Sequence, residues 1–433
     1  MTRSCRNSVD YLRGPLATLW SAPVHVTTAT IPRTSVVRSP GRVIQAVLLA
    51  AAAALIARCG YASEEPGSRV LKFSVASGGD APLLPVRFDG RDYLFIFDTG
   101  CTGTLFDECF RDKLGEALWT ARTRTPLGEI STPYFRAPRA SIAGRALSGV
   151  SVVDCADLSL MRSVSGHAIY GCLGMDYLQS QQVRIDFDRG ELAFLDSVPD
   201  DAGKRIPLYF SSEHGGIVAE VDIGGARELF AIDTGLVGVG HLETRLLERL
   251  VRAGDATPFK NGEAVSVGSR EFVAQPRARL DVVDLEGFRH RGLVFSGATR
   301  SALGTRYLAR YVVTFDFPSM IMYLKPGRMY DEPSRHDLSG MGVWRPNGET
   351  TVDVEAGSAA HRAGIRTGDV IDKVDGRAAS SMPIFQIHKL LATPGRRRLG
   401  VTRGKERFDV TLVLEETSGA ERLRVAEQQK KDQ

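Results

Sequence analysis

One short string occurs twice in the chain, as Phe95-Ile96-Phe97-Asp98-Thr99-Gly100 and as Phe230-Ala231-Ile232-Asp233-Thr234-Gly235. A single Asp-Thr-Gly reads as a turn, with Asp bonding its own backbone and Gly supplying a positive φ. Here the surroundings repeat as well. Val86 and Gly90 lie twelve and eight residues before Asp98, and Val221 and Gly225 hold the same offsets before Asp233. Downstream, Leu173-Gly174 is followed by Tyr177-Leu178 and then by Asp186-Phe187, while Leu303-Gly304 is followed at the same spacing by Tyr307-Leu308 and Asp316-Phe317. A unit of about 130 residues is therefore duplicated. Each copy carries an apolar run ending in a carboxylate, which burial requires to be paired, protonated or used.

The strings around the two triplets give the duplication a family likeness. Each half resembles a lobe of an aspartic peptidase of the retropepsin and pepsin kind, over roughly residues 70–326. In that family an apolar strand delivers Asp-Thr/Ser-Gly into a cleft, and a later apolar-apolar-Gly segment packs beside it. Here those segments are Cys172-Leu173-Gly174 and Ala302-Leu303-Gly304. The resemblance implies that Asp98 and Asp233 meet as the catalytic pair. It also implies that Thr99 and Thr234 brace the cleft floor across the lobe junction, and that Gly100 and Gly235 leave room beside the carboxylates. The residue after each triplet departs from the usual Ala or Ser: it is Cys101 in the first half and Leu236 in the second, where the larger side chain is expected to narrow the floor.

Two carboxylates a few ångströms apart do not both ionise cheaply, so one keeps a proton. The ionised member can then take a proton from a water held between them while its partner polarises a peptide carbonyl. This chemistry needs no cofactor. Metal chemistry finds no support either, because the His residues are scattered and neither His-Glu-x-x-His nor a paired Cys-x-x-Cys occurs.

Strands are expected at Val70–Ala76, Leu83–Phe88, Tyr93–Phe97, Ile217–Ile223, Leu229–Ile232 and Val312–Phe317, with a hairpin of Val183–Phe187 and Leu192–Leu195 around Arg189-Gly190 closing the first lobe. Helical patches follow both triplets, at Asp107–Leu118 and Glu243–Val251. The alternation from Arg122 to Arg136 around Gly128 predicts a hairpin, which is the candidate for the flap that closes such clefts or else an ordinary surface hairpin.

Composition changes after Pro326. Residues 327–337 are polar and read as a linker, and residues 338–416 resemble a PDZ domain. Ser339-Gly340-Met341-Gly342-Val343 corresponds to its carboxylate-binding loop, followed by Gly357-Ser358-Ala359-Ala360, Gly368-Asp369-Val370-Ile371 and Val374-Asp375-Gly376. The amides of Gly340, Met341, Gly342 and Val343 would form a nest for the terminal carboxylate of a peptide or protein. The strand after them offers an edge for pairing, and the helix-like Pro383–Leu391 would form the other wall. A domain that only packs on the lobes is the alternative. Residues 417–433 are charged and apolar-poor, as in a solvated tail.

The formal charge of +4 misleads, because residues 1–62 contain seven Arg and one Asp. The remainder has 48 basic and 50 acidic residues, which leaves no basic stripe for nucleic acid. Arg38 and Arg42 precede an apolar run from Val43 to Ala57, and Gly60-Tyr61-Ala62 places small residues where a signal peptidase reads. Residues 1–62 are therefore expected to be a leader and the protein to be exported, to a bacterial periplasm. The alternatives are a membrane anchor through the uncleaved run, or lipidation at Cys59, against which Arg58 stands. Beyond the leader remain Cys101, Cys109, Cys155 and Cys172, as disulfides in one of three pairings or as buried thiols.

The expected fold is mainly β: two acid-protease-like β-barrel lobes in tandem (63–200 and 201–326) followed by a small α+β PDZ domain. The expected function is an exported aspartic endopeptidase acting on polypeptide substrates. The competing readings are a catalytically silent scaffold that binds peptides, and a dimer in which each lobe pairs with one from another chain.

Overall fold

The computed structural model describes residues 70–415 apart from Ser212 and Arg335. The expected leader, its apolar run and the charged tail lie outside the described residues. Among those described, no helix is long and apolar enough to cross a membrane.

The chain is mainly β, and its first two halves are built alike. In the first, Leu83–Phe88 pairs antiparallel with Arg91–Phe97 through the two-residue turn Asp89-Gly90, whose φ values are 50° and 74°. In the second, Gly216–Ile223 pairs with Ala226–Ile232 through Gly224-Gly225, at 55° and 74°. Positive φ at both turn positions matches the twist of the paired strands, which accounts for the repeated Gly eight residues before each Asp. Ile169–Leu173 then runs parallel to the first Asp-bearing strand, with Leu173 opposite Phe97, and Ala302–Leu303 does the same in the second half, with Leu303 opposite Ile232. Each later segment accepts the N–H of the aspartate in its half's triplet: Asp98 donates to Leu173 O at 3.1 Å and Asp233 to Leu303 O at 3.0 Å.

The halves are joined through a shared six-stranded sheet to which each contributes its last hairpin, Gln182–Asp186 pairing antiparallel with Tyr311–Asp316 and Ile185 lying opposite Val313. One apolar cluster, including Phe97, Ile185, Phe230 and Val313, runs through both halves. Along Gln182–Asp186 the side chains alternate, with Val183 and Ile185 buried in that cluster and Gln182 and Arg184 only half-buried.

Two expected elements differ. The first helical patch is a short 3₁₀ turn, Glu108–Phe110, and one helical turn, Arg111–Leu114; it stops before Leu118 because Gly115 turns the chain at φ 88°. The second, Thr244–Ala253, is a full amphipathic helix burying Leu246, Leu247 and Leu250. The polar segment read as a linker is no loose tether. The guanidinium of Arg310 donates to the carbonyls of Met329, Tyr330 and Glu332, and Tyr330 packs edge-on against Tyr311 and His290.

The C-terminal domain has its own core, with Val343, Ile371, Leu391 and Leu412. Its main sheet path runs Met341–Trp344, Thr351–Val354, Val370–Val374, Gly395–Arg403 and Glu406–Leu414, so Met341–Trp344 lies at an edge. Helix Ile384–Leu391 packs beside that edge. All four described cysteines are free thiols.

Candidate active site

The two Asp-Thr-Gly strings meet at the junction of the halves and are locked by their threonines. Thr99 Oγ1 donates to Ile232 O at 2.5 Å and accepts the Thr234 N–H at 3.1 Å. Thr234 Oγ1 donates to Phe97 O at 2.6 Å and accepts the Thr99 N–H at 3.0 Å. Both side chains are fully buried, so these four bonds satisfy groups that water does not reach.

This lock brings each glycine under the opposite carboxylate. A Cβ on Gly100 would lie 2.5 Å from both Asp233 oxygens, and one on Gly235 would lie 2.5 and 2.6 Å from those of Asp98. Side-chain carbon does not fit at either place. Each carboxylate is held in plane by the second amide after it: Gly100 N–H donates to Asp98 Oδ1 and Gly235 N–H to Asp233 Oδ1, both at 2.9 Å. Burial, then the repulsion of Asp233, pushes Asp98 up to about 7. Burial raises Asp233 too, against the pull of Arg300. At neutral pH and below, this pair holds at least one proton.

A cavity of about 940 Å³ opens over the carboxyl pair. Its roof is the hairpin of Trp119–Thr125 and Gly128–Arg136, with a Pro126-Leu127 tip; Thr123 to Leu127 line the cavity. The tip crosses to the second half, where Thr299 donates its N–H to Pro126 O and its hydroxyl to Thr125 O, both at 3.0 Å. The second half answers with the hairpin of Ala256–Ala264 and Val273–Leu280. Its loop reaches back to the first half, Gly268 N–H donating to Asp157 O at 3.2 Å. Leu236 lines the floor and packs against Gly304, its N–H on Asp233 Oδ1 at 3.0 Å.

Three charged or polar side chains in this cavity escaped the sequence reading. Arg300 donates to His214 O at 2.6 Å and, across the junction, to Gly100 O at 3.1 Å; its charge draws both aspartates down. It stands two residues before Ala302, where the first half has Tyr170 two before Cys172. Comparing the halves position by position therefore exposes it. His241 is buried with Nδ1 unpartnered, and burial followed by Arg300 pulls it down to about 4. Its strand register makes it the counterpart of Leu105. Asp154, the counterpart of Ser296, is pushed up to about 7 by burial.

In the C-terminal domain, the Gly340–Val343 loop faces the same cavity. Gly340 sits at φ 69° and donates its N–H to Asp337 Oδ2 at 2.6 Å. Met341 N–H goes to Ser339 Oγ at 3.0 Å, and that hydroxyl donates to Asp337 Oδ1 at 2.6 Å. Gly342 and Val343 continue along the edge strand, opposite Asp353 and Val352. Within this structure an internal carboxylate thus rests on the loop.

Residues 84–177 match the family model described as aspartyl protease, and residues 350–403 match that of the PDZ domain. The first match holds Asp98-Thr99-Gly100 and Leu173-Gly174; the second half, with Asp233, lies outside it. No curated protein matches the chain.

Proposed function

We propose that this aspartyl protease-like and PDZ-containing chain is an exported endopeptidase that hydrolyses peptide bonds through water activated between Asp98 and Asp233. The observation that carries the reading is the mutual exclusion at the junction, where each carboxylate fills the space of the opposite glycine's missing side chain. Carboxyls that close, buried and raised together share a proton in their working range. The ionised member removes a proton from water as the oxygen attacks the peptide carbonyl, and the protonated member donates to the carbonyl oxygen. The tetrahedral intermediate collapses when the amide nitrogen takes a proton and leaves as the amine, giving one new carboxyl and one new amino terminus. Thr99 and Thr234 hold the pair in register, and the hairpin over the cleft keeps bulk water from the intermediate.

Both triplets within one chain favour a self-sufficient site over one shared between two chains. Export rests on the apolar run Val43–Ala57 and the small residues after it; the N-terminal sequence of the secreted protein checks it. The function is tested by cleavage of an unstructured polypeptide between pH 3 and 8 by the purified protein and by Asp98→Asn and Asp233→Asn. Either substitution is expected to lower kcat by at least about 10³ with folding intact. Turnover equal to the parent in either variant overturns the mechanism, and no turnover in any form favours a peptide-binding scaffold.

A further inference from the structure

Asp154 is a charged residue on an apolar face. It lies in the strand Val152–Ala156, where successive side chains point to opposite sides. Val153 and Cys155 enter the core of the first half with Phe106 and Phe135, so Asp154 turns the other way. Register identifies what lies there: Asp154 stands opposite Leu105, Leu105 opposite Cys172, and Cys172 opposite Ile96. Those three neighbours belong to one apolar cluster, and Asp154, Leu105 and Ile96 line the cavity over the carboxyl pair. The thiols of Cys101 and Cys172 lie in the field of both Asp98 and Asp154.

Asp154 is 6% exposed, and among the described residues no cation pairs with it. Its own amide is the one group that draws the carboxyl down, while burial and the charge of Asp176 push it up. A carboxyl buried in this way destabilises the fold unless a counter-charge comes from outside the chain. The second half treats the same place differently. Ser296 stands there, opposite His241, and the charge of Arg300 reaches His241. A cation would be repelled on that side, so the two halves offer unlike pockets to a polypeptide lying between them. Three strand spacings of about 4.8 Å separate Val152–Ala156 from the strand that carries Asp98. Two residues of extended substrate span about 7 Å of that, and a long side chain spans the rest.

Resting on the peptidase reading above, we infer that Asp154 is the floor of a specificity pocket that takes the cationic side chain of a substrate lysine or arginine, at one position within two residues of the cleaved bond. The substrate class is therefore a polypeptide with a basic residue beside the bond. Ile96, Leu105 and Ile169 line the way in and cover the methylenes of such a side chain, whose charged end goes on to the carboxyl. As the cation arrives, Asp154 gives its proton to solvent and the carboxylate pairs with the ammonium or guanidinium, away from the water that weakens such pairs at a surface. The same absence of a counter-charge pushes the empty pocket's Asp154 up to about 7.

The test uses the full chain. The best-cut bond of an unstructured polypeptide is mapped by mass spectrometry, and peptides spanning it are made with lysine or with methionine, its uncharged match in length, at each of the two positions on either side. At one of these positions kcat/KM is expected to favour lysine by about 100-fold or more, and Asp154→Asn is expected to bring that ratio to about 1 or below. A ratio near 1 at every position in the parent, or a preference for lysine that survives in Asp154→Asn, overturns the inference and leaves the peptidase reading standing. The first of these outcomes is read from the parent alone, whatever the variant's folding. Cleavage of no polypeptide or peptide overturns both readings.

Discussion

Thr99 and Thr234 each donate a hydroxyl hydrogen bond to the strand that carries the other's aspartate, and each accepts the other's backbone N–H. Neither half completes this arrangement alone, so the junction is the place where folding of the two halves becomes one event. Thr99→Val keeps the shape and leaves the Thr234 N–H and Ile232 C=O buried without partners. A loss of about 3 kcal/mol is expected, read from denaturant unfolding, with Thr99→Ser close to the parent.

Two glycines of the same repeat should fail in different ways. Gly235→Ala places carbon against Asp98 and displaces the carboxylate; kcat is expected to fall about 100-fold or more, since small misplacements at a reacting centre cost that much. Gly225→Ala meets open space but holds φ 74°. About 1 kcal/mol of stability is expected to go, with peptide cleavage untouched. Paired melting curves and initial rates separate the two.

The carboxyl pair works with one proton, and Asp98 is pushed up to about 7. Below that the shared proton is present; above it both members ionise. Activity is expected to fall tenfold per unit on the alkaline side of about pH 7. Arg300 opposes the shift at both aspartates, so Arg300→Met should move the falling limb to higher pH. A pH profile of kcat/KM that keeps its limb in place would remove Arg300 from the electrostatics of the pair.

Asp154 gives a stability prediction of known sign. Its folded pKa is raised from 3.8 to about 7 by burial. The folded state therefore binds more protons than the unfolded chain between those values, and stability present at acid pH is lost as pH climbs from about 4 to 7. Asp154→Asn removes that loss. Its thermal midpoint should exceed the parent's at pH 8, by an amount equivalent to about 4 kcal/mol at most, and the gap should close near pH 4. Asp98 and Asp233, both raised by burial, are present in both proteins and cancel in the difference.

The parts of this structure legible in the sequence are those encoded locally and twice. The turn glycines Gly90 and Gly225, the apolar strands before each triplet and the Leu-Gly segments beside them state their conformation within a few residues. What joins the halves is not local. Nothing near Ile185 specifies Val313 as its neighbour, since any apolar edge strand of similar length satisfies the same pattern. Arg300 reads as a surface charge until the fold carries it to Gly100, and Arg310 hides its role because its partners are backbone carbonyls, which every residue has. The second cross-cleft hairpin was missed for a related reason: Ala256–Ala264 and Val273–Leu280 are broken by Pro258, Gly262 and Pro276, which dilute the alternation that marks a strand.

The shared sheet has a further consequence for any attempt to divide the molecule. Cut between the halves, residues 70–200 would carry Gln182–Asp186 as a bare rim of unpaired amides and carbonyls, and residues 201–326 would carry Tyr311–Asp316 in the same state. Such fragments would be adhesive, each seeking a stranger's strand to replace the sibling it lost. Joining the two copies in one chain gives each rim its rightful neighbour before a stranger arrives.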